Sequence, residues 1–552
     1  MNRPVRAPGL QPVGRVPRPG GKGSWLPSRS ARNRPAPRNK GPRPTTGANR
    51  RLRGGGTGRP HGAACAWLVG FCLGLAGFGI VSPGAEAAPG RNVILVVADD
   101  HRHDFMGFHP GAPEWLETPA MDSMAARGAH LVNAFVTTSL CSPARASILT
   151  GQYMHRHGIV DNQRPEPAGT TFFPQYLQRA GVATALVGKW HMGHADDRPR
   201  PGFDHWASFP GQGEYFDPTL NLNGQRRRFE GYDADVLTTE ALRWLSEERP
   251  KDRPFYLHLA FKAPHFPFTP AARHQGRYAG KPIPYPDTLA RTEQNYRTQP
   301  RWVRERRQSI HGIDHMETGR FDHDPVPSFA DWYYGYCEAI HSVDENLGRL
   351  LRYLEERGLA ETTMVIYTSD GGFHLGEHGF YDKRDAFEPS MRVPLLVWAP
   401  GLIRPGTRIE PMVQNIDLAP TILEVMRVAT PPEAQFAGQS FLPLLEGRAV
   451  PWREHVLYEY HWEWNFPATP TMLAIRTREH KYVYYHGIWD IDSFHDLLLD
   501  PAERHNLIEV PAYQDRIRVL RETLFNEFAA RGGLDAPLRI PAGERLDQRK
   551  LP

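Results

Sequence analysis

The chain has 552 residues, a formal net charge of +5 and a pI near 8.9. Its length exceeds what one hydrophobic core usually supports, so we expect two domains. The first 85 residues hold 15 Lys and Arg and no acidic residue, whereas 51 Lys and Arg stand against 60 Asp and Glu after Ala87. The chain after Ala87 therefore has a net charge of −9, and the basic pI comes from the first 85 residues. Because the remainder of the chain is acidic, we expect no nucleic-acid partner.

Two kinds of sequence precede the first predicted strand. Residues 1–63 are rich in Pro, Gly and Arg, a composition typical of a disordered basic extension. Residues 64–87 hold an apolar, Gly-rich run followed by the small-residue pattern AEA, which predicts an export signal. Because the run is long enough to span a bilayer, an uncleaved membrane anchor is the alternative. We therefore expect a periplasmic or extracellular protein that contacts a membrane only through an uncleaved leader.

Apolar runs that predict buried strands end in groups with acid, base or metal-binding chemistry. In chain order, NVILVVA precedes Asp99 and Asp100, HLVNAFVTTSL precedes Cys141, ATALVG precedes Lys189 and His191, FYLHLAF precedes His265, and MVIYTS precedes Asp370. In open α/β sheets, ligands bind outside the carboxyl ends of the strands. Five such ends predict one shared active site.

Cys141 opens the run CSPARASILTG, in which Pro143 and the helix-favouring ARASIL predict a helix that begins at this point. The unpaired N–H groups and the positive end of the helix dipole favour an anionic ligand there, and Arg145 adds a full charge one turn on. A buried structural cysteine is the alternative for a lone Cys. The Pro and Arg at fixed offsets favour a functional site.

These motifs resemble those of the sulfatase family, the formylglycine-dependent type I enzymes. CSPAR matches the family's Cys-x-Pro-x-Arg signature, and ADDHRHD, GKWHMG, KAPHFP and SDGGFHLGEHGFYDKR occupy the expected order around it. The resemblance implies that a maturation enzyme oxidises Cys141 to formylglycine. It also implies one calcium ion bound by Asp99, Asp100, Asp370 and an oxygen of the modified Cys141, with Arg145, Lys189, His191, His265 and Lys383 completing the pocket.

The resemblance implies a role for each of these groups. A hydroxyl of the hydrated aldehyde at position 141 would attack the sulfur of a sulfate ester. His265, with Lys383 beside it, would protonate the departing alcohol, and His191 would deprotonate the second hydroxyl so that sulfate is expelled. Lys189 and Lys383 would stabilise the charge on the transferred group.

One position departs from the family pattern. Many relatives have Asn, Gln or His directly after the third metal aspartate, whereas this chain continues Asp370, Gly371, Gly372. The calcium site would then lack one protein ligand, for which water could substitute. An inactive, glycan-binding homologue is therefore one alternative function.

We expect an α/β fold with two domains. Residues 88–446 form the catalytic domain, with a large mixed, mainly parallel sheet sandwiched by helices as in the alkaline-phosphatase superfamily. Its helix YCEAIHSVDENLGRLLRYLEERG turns one apolar face to the core. Residues 447–552 form a smaller C-terminal α+β domain, with a hairpin at MLAIRTREHKYVYY and a helix over residues 513–531 that ends at Gly532. The Pro- and Arg-rich insertion of residues 271–329 predicts a rim or lid over the pocket.

Two further segments indicate the substrate class. HLGEHGFYDKR and KYVYYHGIWDIDSFHDLLLDPAERHNLI resemble those of sulfatases that act on sulfated sugars, such as N-acetylglucosamine-6-sulfatases and iduronate sulfatases. The expected substrate is therefore a sulfated small molecule, most specifically a sulfated sugar or glycan. The aromatic segment YEYHWEWNFPATP is typical either of a ligand pocket or of packing between domains. Phosphonate and phosphodiester hydrolases of the same superfamily, which share the aspartate cluster, are the second alternative.

Overall fold

The structure is a computed structural model that describes residues 90–193, 195–316 and 327–534. The predicted basic extension of residues 1–63 and the predicted export signal of residues 64–87 lie outside the described residues. Within the described ranges, no helix combines the length and the apolar character that crossing a membrane requires.

The described residues contain three β-sheets. The strands are β1 (Asn92–Ala98), β2 (Ala129–Leu131), β3 (Ala134–Phe135), β4 (Ala183–Gly188), β5 (His205–Ser208), β6 (Thr219–Leu222), β7 (Gln225–Arg228), β8 (Phe255–Ala260), β9 (Thr363–Ser369), β10 (Leu395–Trp398), β11 (Thr407–Ile409), β12 (Val413–Gln414), β13 (His455–Tyr460), β14 (Thr471–Thr477), β15 (His480–His486) and β16 (Ser493–Asp496). The largest sheet has the order β11-β2-β10-β9-β1-β8-β4-β5-β6-β7. Its central strands β9, β1, β8, β4 and β5 are parallel neighbours.

The described residues contain thirteen α-helices. They are α1 (Pro119–Arg127), α2 (Cys141–Thr150), α3 (Met154–His157), α4 (Pro174–Arg179), α5 (Asp233–Arg243), α6 (Glu293–Tyr296), α7 (Arg301–Arg306), α8 (Ile313–Met316), α9 (Phe329–Glu356), α10 (Glu388–Met391), α11 (Leu418–Val425), α12 (Leu442–Leu445) and α13 (Gln514–Ala530). A π-helical turn at Trp244–Glu248 continues α5, and short 3₁₀ turns lie at Ala360–Thr362, Glu377–Gly379, Asn415–Asp417, Pro432–Ala434 and Pro511–Tyr513.

The central strands are buried on both faces, which explains why their sequences are continuous apolar runs. Successive side chains of β1 point to opposite faces of the sheet. Ile94 and Val96 pack in one core with α1, α5 and α9, whereas Val93 and Leu95 pack in a second core with α2, α4 and α11. The sheet is therefore sandwiched by helices, and the predicted fold class is confirmed.

The run HLVNAFVTTSL does not form one strand before Cys141, and that expectation was wrong. It divides into β2, which lies in the large sheet, and β3, which pairs with β12 in a separate two-stranded sheet. Asn133 lies between the two strands, and its side-chain amide donates to the carbonyl of Glu410 at 2.7 Å. The chain therefore passes from the large sheet to the two-stranded sheet between Leu131 and Ala134.

The long helix α9 begins at Phe329, earlier than the predicted start at Tyr336. Ser328 caps it: the hydroxyl accepts from the amide of Asp331 at 3.2 Å, and the Asp331 carboxylate accepts from the amide of Ser328 at 2.7 Å. This reciprocal capping fixes the start of the helix. Its predicted apolar face is buried throughout: Ile340, Val343, Leu347, Leu350, Leu351 and Leu354.

The smaller C-terminal domain contains the four-stranded antiparallel sheet β13-β14-β15-β16 and α13. One face of the sheet packs on α13, through the predicted inward residues Ile517, Leu520, Leu524 and Phe528. The other face packs on segments of the large domain, where it contacts Leu140 and Phe387. The C-terminal domain therefore supports the residue that precedes Cys141. The exact division at residues 446 and 447 stays a prediction.

Candidate active site

The strand order brings the predicted site residues to one edge of the large sheet. Asp99 and Asp100 follow β1, Asp370 follows the neighbouring β9, Lys189 and His191 follow β4, and His265 lies in the loop after β8. Cys141 begins α2, which packs beneath this edge, and Arg145 lies one turn further along the same helix. Lys383 reaches the same point from the loop after β9. All nine residues meet in one buried cluster.

The centre of the cluster is a group of three carboxylates, and one oxygen from each of Asp99, Asp100 and Asp370 lies within 4.8 Å of the others. Asp100 has a left-handed backbone with φ of 69°, and its amide donates to Asp370 Oδ1 at 3.1 Å. Burial, with the charges of Asp99 and Asp370, raises the pKa of Asp100 to about 7 despite its contact with Lys383. Burial also raises the pKa of Asp370. Carboxylates held this close fit a cation between them.

Cys141 is completely buried at the first position of α2. Its thiol donates to Asp99 Oδ1 at 3.3 Å and lies 3.0 Å from Lys383 Nζ. Burial and the charge of Asp99 raise the pKa of this thiol to about 12. The unmodified cysteine is therefore a protonated thiol at neutral pH, and a thiolate nucleophile is disfavoured.

Three cations surround the carboxylates. Arg145 Nε donates to Asp370 Oδ2 at 2.7 Å, and its NH1 donates to the carbonyl of Lys189 at 2.9 Å. The ammonium groups of Lys189 and Lys383 contact Asp99 and Asp100 respectively. The NH2 group of Arg145 is buried and has no hydrogen-bond partner among the described residues. This unmatched donor, together with the two lysines, suits the oxygens of a doubly or singly charged anion.

The two histidines have different environments. His265 donates from Nδ1 to the carbonyl of Phe266 at 2.7 Å, so Nε2, 3.7 Å from Asp100 Oδ2, carries a transferable proton only in the imidazolium form. Both ring nitrogens of His191 are buried without a hydrogen-bond partner in the described part of the chain. Burial and the charge of Lys189 hold the pKa of His191 well below its ordinary value. His191 is therefore a neutral imidazole that can accept a proton.

A cavity of about 210 Å³ opens onto Asp100, His265 and Lys383. The other residues that line it are Asn162, Gln212, Phe266, Ile310, His311, Met316, Phe373, Tyr381, Asp382, Arg384 and Phe466. Three of these come from the predicted rim insertion and one from the predicted aromatic segment. A larger cavity of about 910 Å³, beside α13, contains none of the predicted site residues.

Several of these lining residues were not predicted. Gln212 accepts from Lys189 Nζ, and Asn162 accepts from the amide of Ser142 at 3.0 Å. Both lie in loops without a distinctive motif. Asp382 and Arg384 flank Lys383 in the sequence and form an ion pair with each other at 2.8 Å. Because Lys383 was a predicted site residue, its two charged neighbours could have been predicted to line the site.

The residues fit a calcium ion by the chemistry of their donors. Carboxylate oxygens are hard ligands of the kind calcium prefers. A Cβ added at Gly371 would lie 3.8 Å from Asp100 Oδ1 and 3.7 Å from Lys383 Cδ, and the backbone there is not left-handed. The predicted missing ligand position therefore faces the carboxylate cluster.

Comparisons with known proteins identify the family of this chain. The family model "Sulfatase" matches residues 91–428, and "N-sulphoglucosamine sulphohydrolase, C-terminal" matches residues 376–529. An N-acetylglucosamine-6-O-sulfatase of Bacteroides thetaiotaomicron is 31% identical over 80% of this chain and 87% of its own length. The multifunctional alkaline phosphatase superfamily protein PehA of Trinickia caryophylli is 29% identical over 78% of this chain and 93% of its own.

A solved structure gives the same result. A protein in complex with its substrate D-glucosamine-2-N,6-O-disulfate superposes with a TM-score of 0.74 at 30% identity, over 81% of this chain and 99% of the other. The family model covers more than half of the chain, and a relative above 30% identity covers most of it. The chain is an enzyme that belongs to the sulfatase family.

Proposed function

We propose that this sulfatase releases inorganic sulfate from an O-sulfated sugar or glycan through a formylglycine made from Cys141. The observation that carries the proposal is the environment of Cys141. It is buried at a helix N-terminus, between Asp99 and Lys383, with Arg145 one turn away. An unmodified thiol with a pKa near 12 has little nucleophilic thiolate in this position. Conversion of the thiol by a maturation enzyme of the host supplies the missing reactivity.

The charged groups around residue 141 would bind the sulfate ester and stabilise its transition state. A hydrated formylglycine supplies two hydroxyls, one as the nucleophile toward sulfur. Lys189, Lys383 and Arg145 offer N–H donors to the sulfate oxygens, which carry the charge that moves during transfer. Because these groups are buried, their interactions with an anion are stronger than in water.

The two histidines would move the protons. His265 lines the cavity, and in the imidazolium form its Nε2, 3.7 Å from Asp100 Oδ2, would donate a proton to the alcohol oxygen as its bond to sulfur breaks. Burial and the charge of Lys189 lower the pKa of His265, and a bound sulfate ester would raise it again. His191, held neutral, takes the proton of the second hydroxyl, which allows sulfate to leave residue 141.

Calcium would be held by Asp99, Asp100 and Asp370, with an oxygen of modified residue 141. When bound, it supplies positive charge that favours deprotonation of a nearby hydroxyl and attracts the sulfate oxygens. It would also compensate the burial and the mutual repulsion that together raise the pKa of Asp100. Lys189 and Lys383 contact Asp99 and Asp100. With calcium bound to these carboxylates, the two ammonium groups would be free to bind the oxygens of the substrate.

Three observations support a sulfated sugar as the substrate. The cavity of about 210 Å³ is smaller than the roughly 300–1,000 Å³ typical of drug-sized ligands, and its size suits a single sugar residue. Its wall combines the aromatic ring of Phe466 with the polar groups of His311, Asp382 and Arg384, a mixture that suits a sugar ring and its hydroxyls. The relatives named for N-acetylglucosamine 6-sulfate and for a glucosamine disulfate point to the same class.

Phosphonate or phosphodiester hydrolysis is the second candidate, and the likeness to PehA, named as a multifunctional protein of the alkaline phosphatase superfamily, favours testing a second activity. Turnover of matched sulfate and phosphate esters of one sugar separates the two. A higher kcat/KM for the sulfate ester is expected. Preference for the phosphate ester or a phosphodiester would overturn the proposal.

The proposed modification has its own test. The mass of the tryptic peptide that contains Cys141, from protein made in its native host, should correspond to formylglycine. An unmodified thiol together with sulfated-sugar binding and no turnover would favour the inactive, glycan-binding alternative.

The proposal includes export to the periplasm or the cell exterior, supported by the apolar run and AEA pattern of residues 64–87. The N-terminal sequence of the mature protein tests it. A start after Ala87 is expected, whereas an intact run of residues 64–87 in the membrane fraction would identify an anchor.

A further inference from the structure

Two tyrosine hydroxyls donate hydrogen bonds to the loop that carries His265. The hydroxyl of Tyr215 donates to the backbone carbonyl of His265 itself. The hydroxyl of Tyr232 donates to the carbonyl of Thr269, four residues further along the same loop, at 3.0 Å. The two rings are stacked, with centroids 5.9 Å apart and planes 13° apart. Two equivalent hydroxyls therefore fix two different points of one loop.

Tyr215 is itself rigidly placed. It is buried, and its own carbonyl accepts from the amide of Asp233 at 2.9 Å at the start of α5. The ammonium group of Lys262 lies over the Tyr215 ring, 4.6 Å from the ring centroid. Burial raises the pKa of the Tyr215 phenol well above its ordinary value, so the group stays a donor at any working pH.

The hydrogen bond from Tyr215 bears directly on the reacting nitrogen of His265. The imidazole is fixed on one side by the bond from Nδ1 to the carbonyl of Phe266, within the same loop. The backbone of His265 is fixed by Tyr215 and by the amide of Phe268, which donates to the same carbonyl at 3.1 Å. Because the backbone and Nδ1 are both fixed, the direction in which Nε2 points is also fixed. General acid catalysis depends on that direction, because a proton donor must lie within hydrogen-bond reach of the leaving oxygen.

We propose that Tyr215 is a positioning residue for His265, and that its hydroxyl aims Nε2 at the alcohol oxygen of the substrate. This inference rests on the proposed role of His265 as the general acid. The hydroxyl of Tyr215 donates to the carbonyl of His265, and Tyr215 neither lines the cavity nor belongs to the carboxylate cluster, so the hydroxyl acts on turnover through the histidine. Its loss should therefore resemble a partial loss of His265.

The variant Tyr215→Phe isolates the hydroxyl. The phenylalanine ring keeps the stacking on Tyr232 and an aromatic face for Lys262. The carbonyl of His265 keeps one donor, the amide of Phe268, so no buried acceptor is left unpaired. We expect a thermal midpoint close to that of the unsubstituted protein. For sulfate esters of poor alcohol leaving groups, kcat should fall about tenfold or more, with little change in KM.

The leaving group distinguishes positioning from general disturbance. Aryl sulfates with good leaving groups need little help from an acid, so Tyr215→Phe should slow them less than about twofold. Tyr232→Phe is the matched control, since it removes the same group from the stacked partner but releases the carbonyl of Thr269 and a contact with Ser342 instead of the carbonyl of His265. It should change neither substrate class by more than about twofold.

A double-variant cycle completes the test. In a His265→Ala background, Tyr215→Phe should cause no further loss on poor leaving groups, because the group that it positions is gone. Multiplicative losses in the double variant, or equal losses of Tyr215→Phe on both leaving-group classes, would overturn the positioning role alone. Equal losses of His265→Ala on both classes would instead refute the acid role of His265, and the positioning inference with it.

Discussion

Gly371 provides a direct test of the proposed calcium site. The substitution Gly371→Asn adds a side-chain oxygen at the position where the resemblance to the sulfatase motifs implies a further ligand. An added Cβ would meet Lys383 Cδ at 3.7 Å and Asp100 Oδ1 at 3.8 Å, both ordinary contact distances, and the backbone is outside the left-handed region. The side chain therefore enters the carboxylate cluster without backbone strain.

The expected gain can be worked from its parts. A neutral oxygen that contacts a charged partner contributes about 2 kcal/mol. Ordering the Asn side chain costs about 0.5–1 kcal/mol. The remainder of about 1–1.5 kcal/mol corresponds to a roughly tenfold lower half-saturating calcium concentration.

Gly371→Ala is the matched control, because it adds the same Cβ without an oxygen. It also accounts for the stabilisation of about 0.4–1 kcal/mol that replacing a glycine produces through the unfolded chain. Calcium should be removed with a chelator, and the thermal midpoint and the rate of sulfate release followed as calcium is restored. Half-saturation at the same calcium concentration for the Asn and Ala variants, both folded, would refute the reasoning.

Three further substitutions test the site. Cys141→Ala should lower sulfate-ester hydrolysis more than about 10³-fold and cost only about 1 kcal/mol in unfolding free energy, measured by denaturant titration; retained activity would exclude the nucleophile. His191→Ala should give a burst of alcohol product with slow release of inorganic sulfate, and simultaneous release of both products would contradict its role as the later base. Gly372→Ala should lower the thermal midpoint by an amount equivalent to about 2 kcal/mol, because its Cβ would lie 2.0 Å from the carbonyl of Pro389; an unchanged midpoint would show that this turn adapts.

The sequence by itself determined the central layer of the fold and the composition of the candidate site. The strands β1, β4, β8 and β9 are continuous apolar runs because they are buried on both faces, so their residues and their ends could be recognised locally. The helix start at Cys141 and the buried faces of α9 and α13 follow from equally local patterns. The assignment of a role to each group came from the resemblance of the motifs to those of the sulfatases. Those roles stay predictions.

The tertiary structure decided the contacts between distant segments. The predicted rim insertion contributes Arg306, which is fully buried and donates to Asp385, Asp382 and the carbonyl of Lys383. An arginine in a polar, aperiodic segment gives no local sign of such burial, since its partners lie more than 70 positions away. The same holds for the bond from Tyr215 to His265, across 50 positions. Local periodicity encodes which face of an element is buried, but the partner of a buried polar group depends on how the elements are assembled.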